Sequence, residues 1–242
     1  MKTLDLTLPT PAENLACDEA LLDWHEQNGG EEILRFWESP EPFVVAGYAN
    51  KIATEVNVAN CEAKKIPILR RCSGGGTVLQ GRGCLNYALI LRIAENSPLA
   101  GIASANKFIM ERNRSAIESA ISNPQSAISV SGHTDLAIGR LKFSGNSQRR
   151  HKHFLLFHGT FLLNFDLALV SDFLKMPSKQ PDYRKERSHD KFLTNLGLSA
   201  DKVKAALQKT WKANSPLENP PLEKIKKLAR EKYSTDEWNF KF

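Results

Sequence analysis

The sequence RRCSGGGTV, which spans residues 70–78, constrains the fold more than any other stretch of the chain. An apolar run containing Ile66, Ile68 and Leu69 leads into its two arginines, and a second β-like run follows its three glycines. Consecutive glycines tolerate positive φ and let the backbone pass close to a ligand. Successive N–H groups in such a loop can point at an anion, and an adjacent guanidinium adds planar charged donors. The stretch therefore predicts a cradle for a phosphate or carboxylate, with a glycine-rich hairpin bearing solvated arginines as the alternative.

Length and composition predict one large folded domain, or one and a half, without membrane association. Of the 242 residues, 41% are hydrophobic and 25% are charged, which is enough for a core and unlike a disordered chain. No apolar run reaches the roughly 18 residues that span a bilayer. The N-terminus has no apolar segment of the kind that signal peptides carry. We therefore expect a cytoplasmic protein.

Cysteine usage and charge narrow the classes of partner. The four cysteines (Cys17, Cys61, Cys72 and Cys84) lie at unrelated spacings without a CxxC pair. This pattern predicts reduced thiols rather than disulfides or metal ligands. The net charge of +6 comes without a recognisable nucleic-acid motif. It favours an anionic ligand or an acidic protein partner over a nucleic acid.

Strand blocks interrupted by helices predict an α+β fold with a mainly antiparallel sheet. A capping box at residues 10–13 begins a helix that runs to about residue 27. Residues 81–83 are predicted to form a hairpin loop, and residues 139–140 a two-residue hairpin turn. The polar segment 176–190 is predicted to be a mobile loop. Further strands are predicted at 33–37, 43–46, 66–71, 77–80, 84–91, 126–130, 135–138, 141–148 and 153–165, and further helices at 57–65, 104–121, from 165 onward, 199–211 and 221–233.

Three later clusters carry polar residues beside or within predicted strands. Asp135 begins a strand, where it could bind a metal or orient a base, although a turn-forming aspartate is the alternative. Lys142 is followed by small residues that permit close approach, although strand lysines are often solvated edge charges. His158 and Gly159 interrupt an apolar strand, where glycine can mark close approach of a ligand; a satisfied core histidine is the alternative. Together the clusters predict an anion pocket built on sheet edges.

The order of these motifs resembles the catalytic domain of the lipoate–protein ligase A family, in the biotin/lipoate protein ligase superfamily. The family's RRxSGGGxV loop matches residues 70–78, and its HGTLLLN strand matches residues 158–164 with Phe161 in place of leucine. Its NxDL element and its Kxx(G)S strand resemble residues 134–136 and 142–147. The resemblance covers nearly all of the chain, because the helix at 14–20, the TNL at 194–196 and the EWNF at 237–240 also match.

The resemblance implies a mixed, largely antiparallel β-sheet flanked by helices, as in class II biotin/lipoate ligases. It implies a single catalytic domain over residues 1–242, without the small C-terminal domain of many relatives. The implied reaction uses ATP and Mg²⁺ to convert lipoate into lipoyl-AMP, whose lipoyl group then passes to a lysine of an acceptor lipoyl-domain protein. A separate accessory subunit could supply the small domain.

The resemblance also implies roles for individual residues. Lys142 corresponds to the essential catalytic lysine, and Arg71 with the glycines would hold the phosphate of the acyl-adenylate. Asp135 would bind Mg²⁺ or orient Lys142, His158 would line the lipoyl channel or orient the loop, and the segment 176–190 would act as a lid. The expected substrate-binding residues are Arg70, Arg71, Ser73, Gly74, Gly75, Gly76, Thr77, Val78, Gln80, Asn86, Asp135, Ser144, Gly145, Asn146, His158, Gly159 and Thr160.

Departures from the family pattern keep other functions open. Gln80 and Gly81 replace a His-Asp pair that usually faces the ligand. An octanoyl or lipoyl transferase working from an acyl-carrier or lipoyl donor without ATP is the closest alternative. The thioester mechanism of octanoyltransferases needs a thiolate near the lysine, and no cysteine follows Cys84. A non-catalytic lipoyl-binding or assembly protein is the alternative of another class. The sequence does not separate lipoate from octanoate.

Overall fold

The computed structural model describes residues 1–121 and 127–242 and confirms the mixed α+β class. Within these ranges, eight strands form a large sheet in the order β11-β1-β2-β6-β10-β9-β8-β7, and three form a small sheet in the order β4-β3-β5. The strands are β1 (Lys2–Asp5), β2 (Ile33–Trp37), β3 (Phe43–Ala46), β4 (Ile68–Arg70), β5 (Val78–Gln80), β6 (Cys84–Arg92), β7 (Ile128–Ser131), β8 (Asp135–Ile138), β9 (Leu141–Arg150), β10 (Phe154–Leu162) and β11 (Ser215–Pro216).

The large sheet is mostly antiparallel, as expected. Only the pairs β11/β1 and β1/β2 are parallel among its described strands. The helices are α1 (Pro11–Asn28), α2 (Ile52–Glu55), α3 (Val58–Lys64), α4 (Ile102–Ala120), α5 (Ala168–Phe173), α6 (His189–Phe192), α7 (Ala200–Trp211), α8 (Leu222–Leu228) and α9 (Asp236–Asn239), with a 3₁₀ turn at Asp182–Arg184 and a π-helical turn at Ala229–Tyr233. No helix in the described part of the chain is long and apolar enough to cross a membrane.

Helices cover both faces of the large sheet. On β6, every second side chain faces a core that includes residues of α4 and α7, namely Leu85, Tyr87, Leu89 and Leu91. The intervening residues of β6, among them Ile90, face a second core with α1 and α8. This alternation follows from the period-2 geometry of a strand. The face covered by α1 also carries the loop at residues 71–77.

The N-terminal helix has the predicted capping box. Thr10 Oγ1 accepts a hydrogen bond from the backbone N–H of Glu13, and the carboxylate of Glu13 accepts one from the backbone N–H of Thr10. Two orphan N–H groups at the helix start are thereby satisfied. At the other end Gly29, with φ of 69°, donates its N–H to the carbonyl of His25. Helix α1 is thus capped at both ends.

One of the two predicted hairpins is wrong. β5 pairs with β3 in the small sheet, whereas β6 pairs with β2 and β10 in the large sheet, so residues 81–83 connect two sheets. Gly83, at φ of 89°, instead donates its N–H to Glu38 Oε1. The glycine loop is not a hairpin either, because β4 and β5 both pair with β3. The turn at 139–140 is confirmed, since Ile138 pairs with Leu141.

The remaining differences concern short elements. Strands β1 and β11 and helices α2 and α9 were not anticipated from the sequence, since each has only two to four residues. Ser126, at the start of a strand predicted over 126–130, lies outside the described residues, and the rest of that run contributes to β7. The segment 176–190 contains the 3₁₀ turn and the first residues of α6.

Candidate active site

The glycine loop leaves β4 and crosses over strand β9. The carbonyl oxygen of Gly74 accepts a hydrogen bond of 2.9 Å from Ser147 Oγ, and Gly75 adopts φ of 87°. A Cβ on Gly47 would lie 2.1 Å from the carbonyl oxygen of Gly75, so only glycine fits where the two backbones meet. On the outer side, no atom lies within 4 Å of the position that a Cβ would take on Gly74 or Gly76. The loop is therefore held on the side that faces strand β9, and it is open at Gly74 and Gly76.

The side chain of Arg71 folds back under this loop. Its guanidinium donates to the carbonyls of Gly74 and Gly76, and its Nε donates to Ser73 Oγ. With these carbonyls turned toward the guanidinium, the N–H groups of Gly74, Gly75 and Gly76 donate to no other part of the described chain. Burial lowers the pKa of Arg71 to about 10, so the guanidinium stays charged at neutral pH. The loop thus combines free N–H donors with a fixed positive charge, which suits an anion.

The ammonium of Lys142 lies above strand β9. Its Nζ forms a 2.8 Å ion pair with Asp135 Oδ1. A Cβ on Gly145 would lie 2.7 Å from this Nζ, so the missing side chain at position 145 makes room for the ammonium. The other carboxylate oxygen of Asp135 accepts a 2.7 Å hydrogen bond from the Tyr183 hydroxyl, which the 176–190 segment supplies. Burial raises the pKa of that phenol, and the charge of Asp135 raises it further.

A β-bulge directs Lys142 to this face. Strand β8 pairs Leu136 with Ser144 but the next residue, Ala137, with Lys142, so Phe143 is an extra residue in β9. Without the bulge, residues 142 and 145 would point to opposite faces of the sheet. The extra residue reverses the alternation, and bulges commonly re-aim side chains beside active sites.

The ammonium and the glycine loop lie over the same face of the sheet. Lys142 lies at Gly145, and Gly75 lies at Ser147, where a Cβ on Gly75 would be 3.7 Å from the Ser147 Cβ. Gly145 and Ser147 are two residues apart on one strand, which corresponds to about 7 Å. Their partners on β10, Thr160 and His158, complete the floor of the site. The loop and the ammonium therefore flank the same stretch of strand β9.

A chain of hydrogen bonds connects the loop to helix α1. Ser73 Oγ lies 2.6 Å from His158 Nε2, and His158 Nδ1 lies 2.8 Å from Asp18 Oδ2. The other oxygen of Asp18 accepts from the guanidinium of Arg35, which is fully buried. Both ring nitrogens of His158 therefore have hydrogen-bond partners, and one of these partners belongs to the loop. The interpretation as a hydrogen-bonded core histidine and the interpretation as a residue that orients the loop are compatible.

A second polar chain follows the same face. Gln80 Nε2 donates to Thr160 Oγ1 over 2.7 Å, and Thr160 Oγ1 donates to Asn86 Oδ1 over 2.6 Å. The buried Oε1 of Gln80 has no hydrogen-bond partner among the described residues. Buried acceptors are normally satisfied, so this oxygen is available to a donor group of a ligand.

Three expected ligand-binding residues lie on the opposite face, which corrects the prediction for them. Asn146 Oδ1 accepts from the Tyr87 hydroxyl, and Asn146 Nδ2 donates to the carbonyl of Thr134 and to Ser144 Oγ. A Cβ on Gly159 would lie 1.8 Å from Asn146 Oδ1. Glycine in this strand thus admits the amide of Asn146 rather than a ligand. Ser144, Asn146 and Gly159 belong to the packing of the core.

Arg70 is also an interior residue. It is fully buried, and its guanidinium donates to the backbone carbonyls of Gly47, Tyr48, Asn50, Trp238 and Asn239. The prediction that it binds the ligand is corrected, because all of its N–H groups point into this cage. Thr77 and Val78 end the loop: Thr77 Oγ1 accepts from Asn50 Nδ2, and Val78 pairs with Val45.

The residues around Asp135 do not form a resident metal site. In the described ranges, no group of three His, Cys, Asp or Glu side chains could hold a metal ion. Both oxygens of Asp135 already contact Lys142 and Tyr183. Mg²⁺ in nucleotide sites is held by one or two carboxylates together with substrate phosphates, so the phosphates of a bound nucleotide would supply most of its ligands here.

Several site residues escaped the sequence reasoning. Asp18, Arg35, Ser147 and Tyr183 were not assigned, although Asp18 lies in the NLACDEA helix that contributed to the resemblance. The sequence pattern of a single helix does not show which of its carboxylates contacts a histidine that is distant in the chain. Arg149, another such residue, donates to the carbonyl of Cys72 beside the loop.

The fold and this site define a catalytic domain of the lipoyl-ligase type, and comparison with known proteins agrees. The family model "Lipoyl protein ligase A/B catalytic domain" matches residues 10–212, and the chain belongs to this family. It is 30% identical to lipoate–protein ligase 1 of Staphylococcus aureus over 95% of the chain and 70% of that protein. It is 27% identical to octanoyltransferase LipM of Halalkalibacterium halodurans over 96% of the chain and 95% of that protein.

Solved structures share the fold. A bipartite lipoate protein ligase from Thermoplasma acidophilum, described with its E2 lipoyl domain, superimposes with a TM-score of 0.81 and 23% identity over 99% of this chain and 95% of that one. A lipoate-protein ligase A bound with ATP superimposes with a TM-score of 0.71 and 25% identity over 99% and 98% of the two chains. Relatives of this chain are therefore lipoate ligases and octanoyltransferases, which are enzymes of protein lipoylation.

Proposed function

We propose that this domain is a lipoate–protein ligase that forms lipoyl-AMP from lipoate and MgATP and transfers the lipoyl group to a lysine of an acceptor lipoyl domain. The observation that carries the proposal is the position of Lys142, which the β-bulge brings over the same face as the free N–H groups of the glycine loop. Fixed donors on both sides of one small space can hold the carboxylate and the α-phosphate together.

The same donors serve both steps of the reaction. In the first, an oxygen of the lipoate carboxylate attacks the α-phosphorus, and pyrophosphate leaves with the electron pair of the broken P–O bond. In the second, the acceptor amine attacks the carbonyl carbon, and AMP leaves. Negative charge develops on phosphate or acyl oxygens each time, where Lys142 and the loop N–H groups stabilise it. The segment carrying Tyr183 would exclude water from the anhydride.

An octanoyltransferase reaction is the second candidate, because relatives of that name match 96% of the chain. A thioester mechanism requires a reactive thiolate. All four cysteines are free and buried, and burial raises the pKa of Cys17 to about 11 and that of Cys72 to about 12. Burial also raises the thiol pKa of Cys61 and Cys84. These environments favour the ligase over the thioester route.

Partners and location follow from the proposed reaction. The acceptor would be a lipoyl-domain protein of the cytoplasm, where the free cysteines would stay reduced. A separate accessory subunit is part of the proposal, because the similar T. acidophilum ligase is described as bipartite. Residues 1–242 would then act as the catalytic domain alone.

The reaction itself is tested by mass spectrometry of the acceptor. We expect a lipoyl domain incubated with this chain, lipoate and MgATP to gain one lipoyl group, with lipoyl-AMP detectable before the acceptor is added. Parallel reactions would add a candidate accessory subunit, or replace lipoate and ATP by octanoyl-acyl carrier protein. The ligase assignment would be refuted if the acceptor were modified from octanoyl-acyl carrier protein and never from lipoate with MgATP.

The thiols provide an independent prediction. Because their raised pKa values keep them protonated and burial shields them, we expect iodoacetamide at pH 7.5 to modify none of the four cysteines in the folded protein. Treated protein should retain its full rate of lipoyl transfer. Unfolding in urea should make all four reactive, which serves as the control. Loss of activity together with alkylation of one cysteine in the folded state would favour the thioester route instead.

A further inference from the structure

The chain from Ser73 through His158 to Asp18 has the arrangement of an acid–base relay. The contacts measure 2.6 and 2.8 Å. Ser73 and Asp18 are each 2% exposed and His158 is 9% exposed, so bulk water does not compete for these contacts. A hydroxyl, an imidazole and a carboxylate in this order are the parts that move a proton to or from a reacting group in many acyl-transfer sites.

The proton positions follow from the partners. The ionised carboxylate of Asp18 can only accept, so His158 carries its hydrogen on Nδ1. With the ring neutral, as the relay requires, Nε2 is an acceptor and the Ser73 hydroxyl donates to it. Ser73 Oγ also accepts from Arg71 Nε at 3.2 Å. One lone pair of this oxygen remains, at the start of a loop that is open at Gly74.

Resting on the proposed function, we propose that Ser73 accepts a proton from the acceptor lysine during lipoyl transfer and that His158 and Asp18 act through it as positioning residues. The amine nitrogen forms a bond to the carbonyl carbon, and the bond from that carbon to the phosphate oxygen breaks with its electron pair leaving on AMP. One proton of the nitrogen passes to Ser73 Oγ as the hydroxyl proton of Ser73 passes to His158 Nε2. Asp18 stabilises the resulting imidazolium, which returns its proton to water after product release.

Lys142 cannot take this role while it remains charged. An ammonium has donors only, so it stabilises the leaving phosphate but accepts no proton. Arg71 and Arg35 are likewise donors. The Asp135 carboxylate is held by Lys142 and Tyr183, so the Ser73–His158 pair offers the base that the transfer step needs. Adenylation releases no proton from an amine, so the relay should affect transfer alone.

The test separates transfer from ligand binding. Preformed lipoyl-AMP and a purified lipoyl domain are mixed with each variant, and the single-turnover transfer rate is measured beside the calorimetric Kd for lipoyl-AMP. Ser73→Ala and His158→Gln should each slow transfer at least about 100-fold, with the Kd changed less than about threefold. Ser73→Thr, which keeps a hydroxyl, should restore most of the rate.

Ser147→Ala is the matched control, since it removes a hydrogen bond to the loop at Gly74 without touching the relay. It should weaken lipoyl-AMP binding more than it slows transfer. The relay is refuted if wild-type protein transfers the lipoyl group and Ser73→Ala does so within about threefold, or if Ser73→Ala loses rate and affinity in parallel as a structural defect would. A wild-type chain that transfers nothing from lipoyl-AMP, with or without the candidate accessory subunit, would overturn the proposed function as well.

Discussion

Replacing Lys142 by alanine should abolish lipoyl transfer, with a loss of at least about 1,000-fold in rate, because charge-stabilising groups of this kind contribute several kcal/mol to the transition state. The side chain carries the positive charge that the bulge brings to Gly145, two residues along the strand from Ser147, which contacts the glycine loop. In both proposed steps, negative charge develops between this ammonium and the loop. Both steps should therefore fail without the lysine. Adenylation is measured as the amount of lipoyl-AMP formed, and transfer is measured as the gain in mass of the acceptor.

Two further substitutions separate this loss from misfolding. Alanine leaves Asp135 without its ion-pair partner, whereas Lys142→Gln keeps an N–H donor on a side chain one atom shorter and removes the charge. Lys142→Gln should fold with a midpoint in urea close to that of the wild type and still be inactive. Lys152→Ala, at an exposed lysine in the β9–β10 turn, should behave as wild type in every assay. An active Lys142→Gln variant would exclude the lysine from the chemistry.

The sequence predicted the parts of this site but not the way they are arranged. The glycine loop, Lys142 and His158 were singled out by residue type, each with an ordinary structural alternative, and their roles came from the family resemblance. The side of the sheet to which each of these residues points was harder to predict. Simple alternation along β9 puts residues 142, 144 and 146 on one side, and the single extra residue at Phe143 overturns it. A bulge of one residue leaves no signature in a single sequence.

The same limit explains the corrections at Gly159 and Arg70. A glycine within an apolar strand signals close approach, but the approaching group is chosen by a strand pairing that the sequence does not state. Here Asn146 of β9 occupies the space. Of two adjacent arginines, Arg70 lies in a cage of backbone carbonyls and Arg71 folds under the loop, and residue type alone does not tell which does which. The fold class was easier to predict, because it depends on long periodic segments rather than on one residue of register.

Arg70→Ala should destabilise the protein by at least about 3 kcal/mol, since removal of a buried donor leaves its acceptors unsatisfied at about 1–3 kcal/mol each. The guanidinium holds three carbonyls of the 47–50 turn, at 2.8 to 2.9 Å, and two more near the end of the chain at Trp238 and Asn239. Gly47 of that turn meets the carbonyl of Gly75. The loss should therefore loosen the glycine loop as well.

Equilibrium unfolding in urea measures this effect, with Arg230→Ala as the matched control. Arg230 is an exposed arginine with a single ion pair to Glu231, so its removal should change the free energy of unfolding by less than about 0.5 kcal/mol. Arg70→Lys should lie between the two, because an ammonium has three donors and no planar fork. If Arg70→Ala were as stable as Arg230→Ala but failed to bind lipoyl-AMP, the side chain would belong to the ligand rather than to the cage.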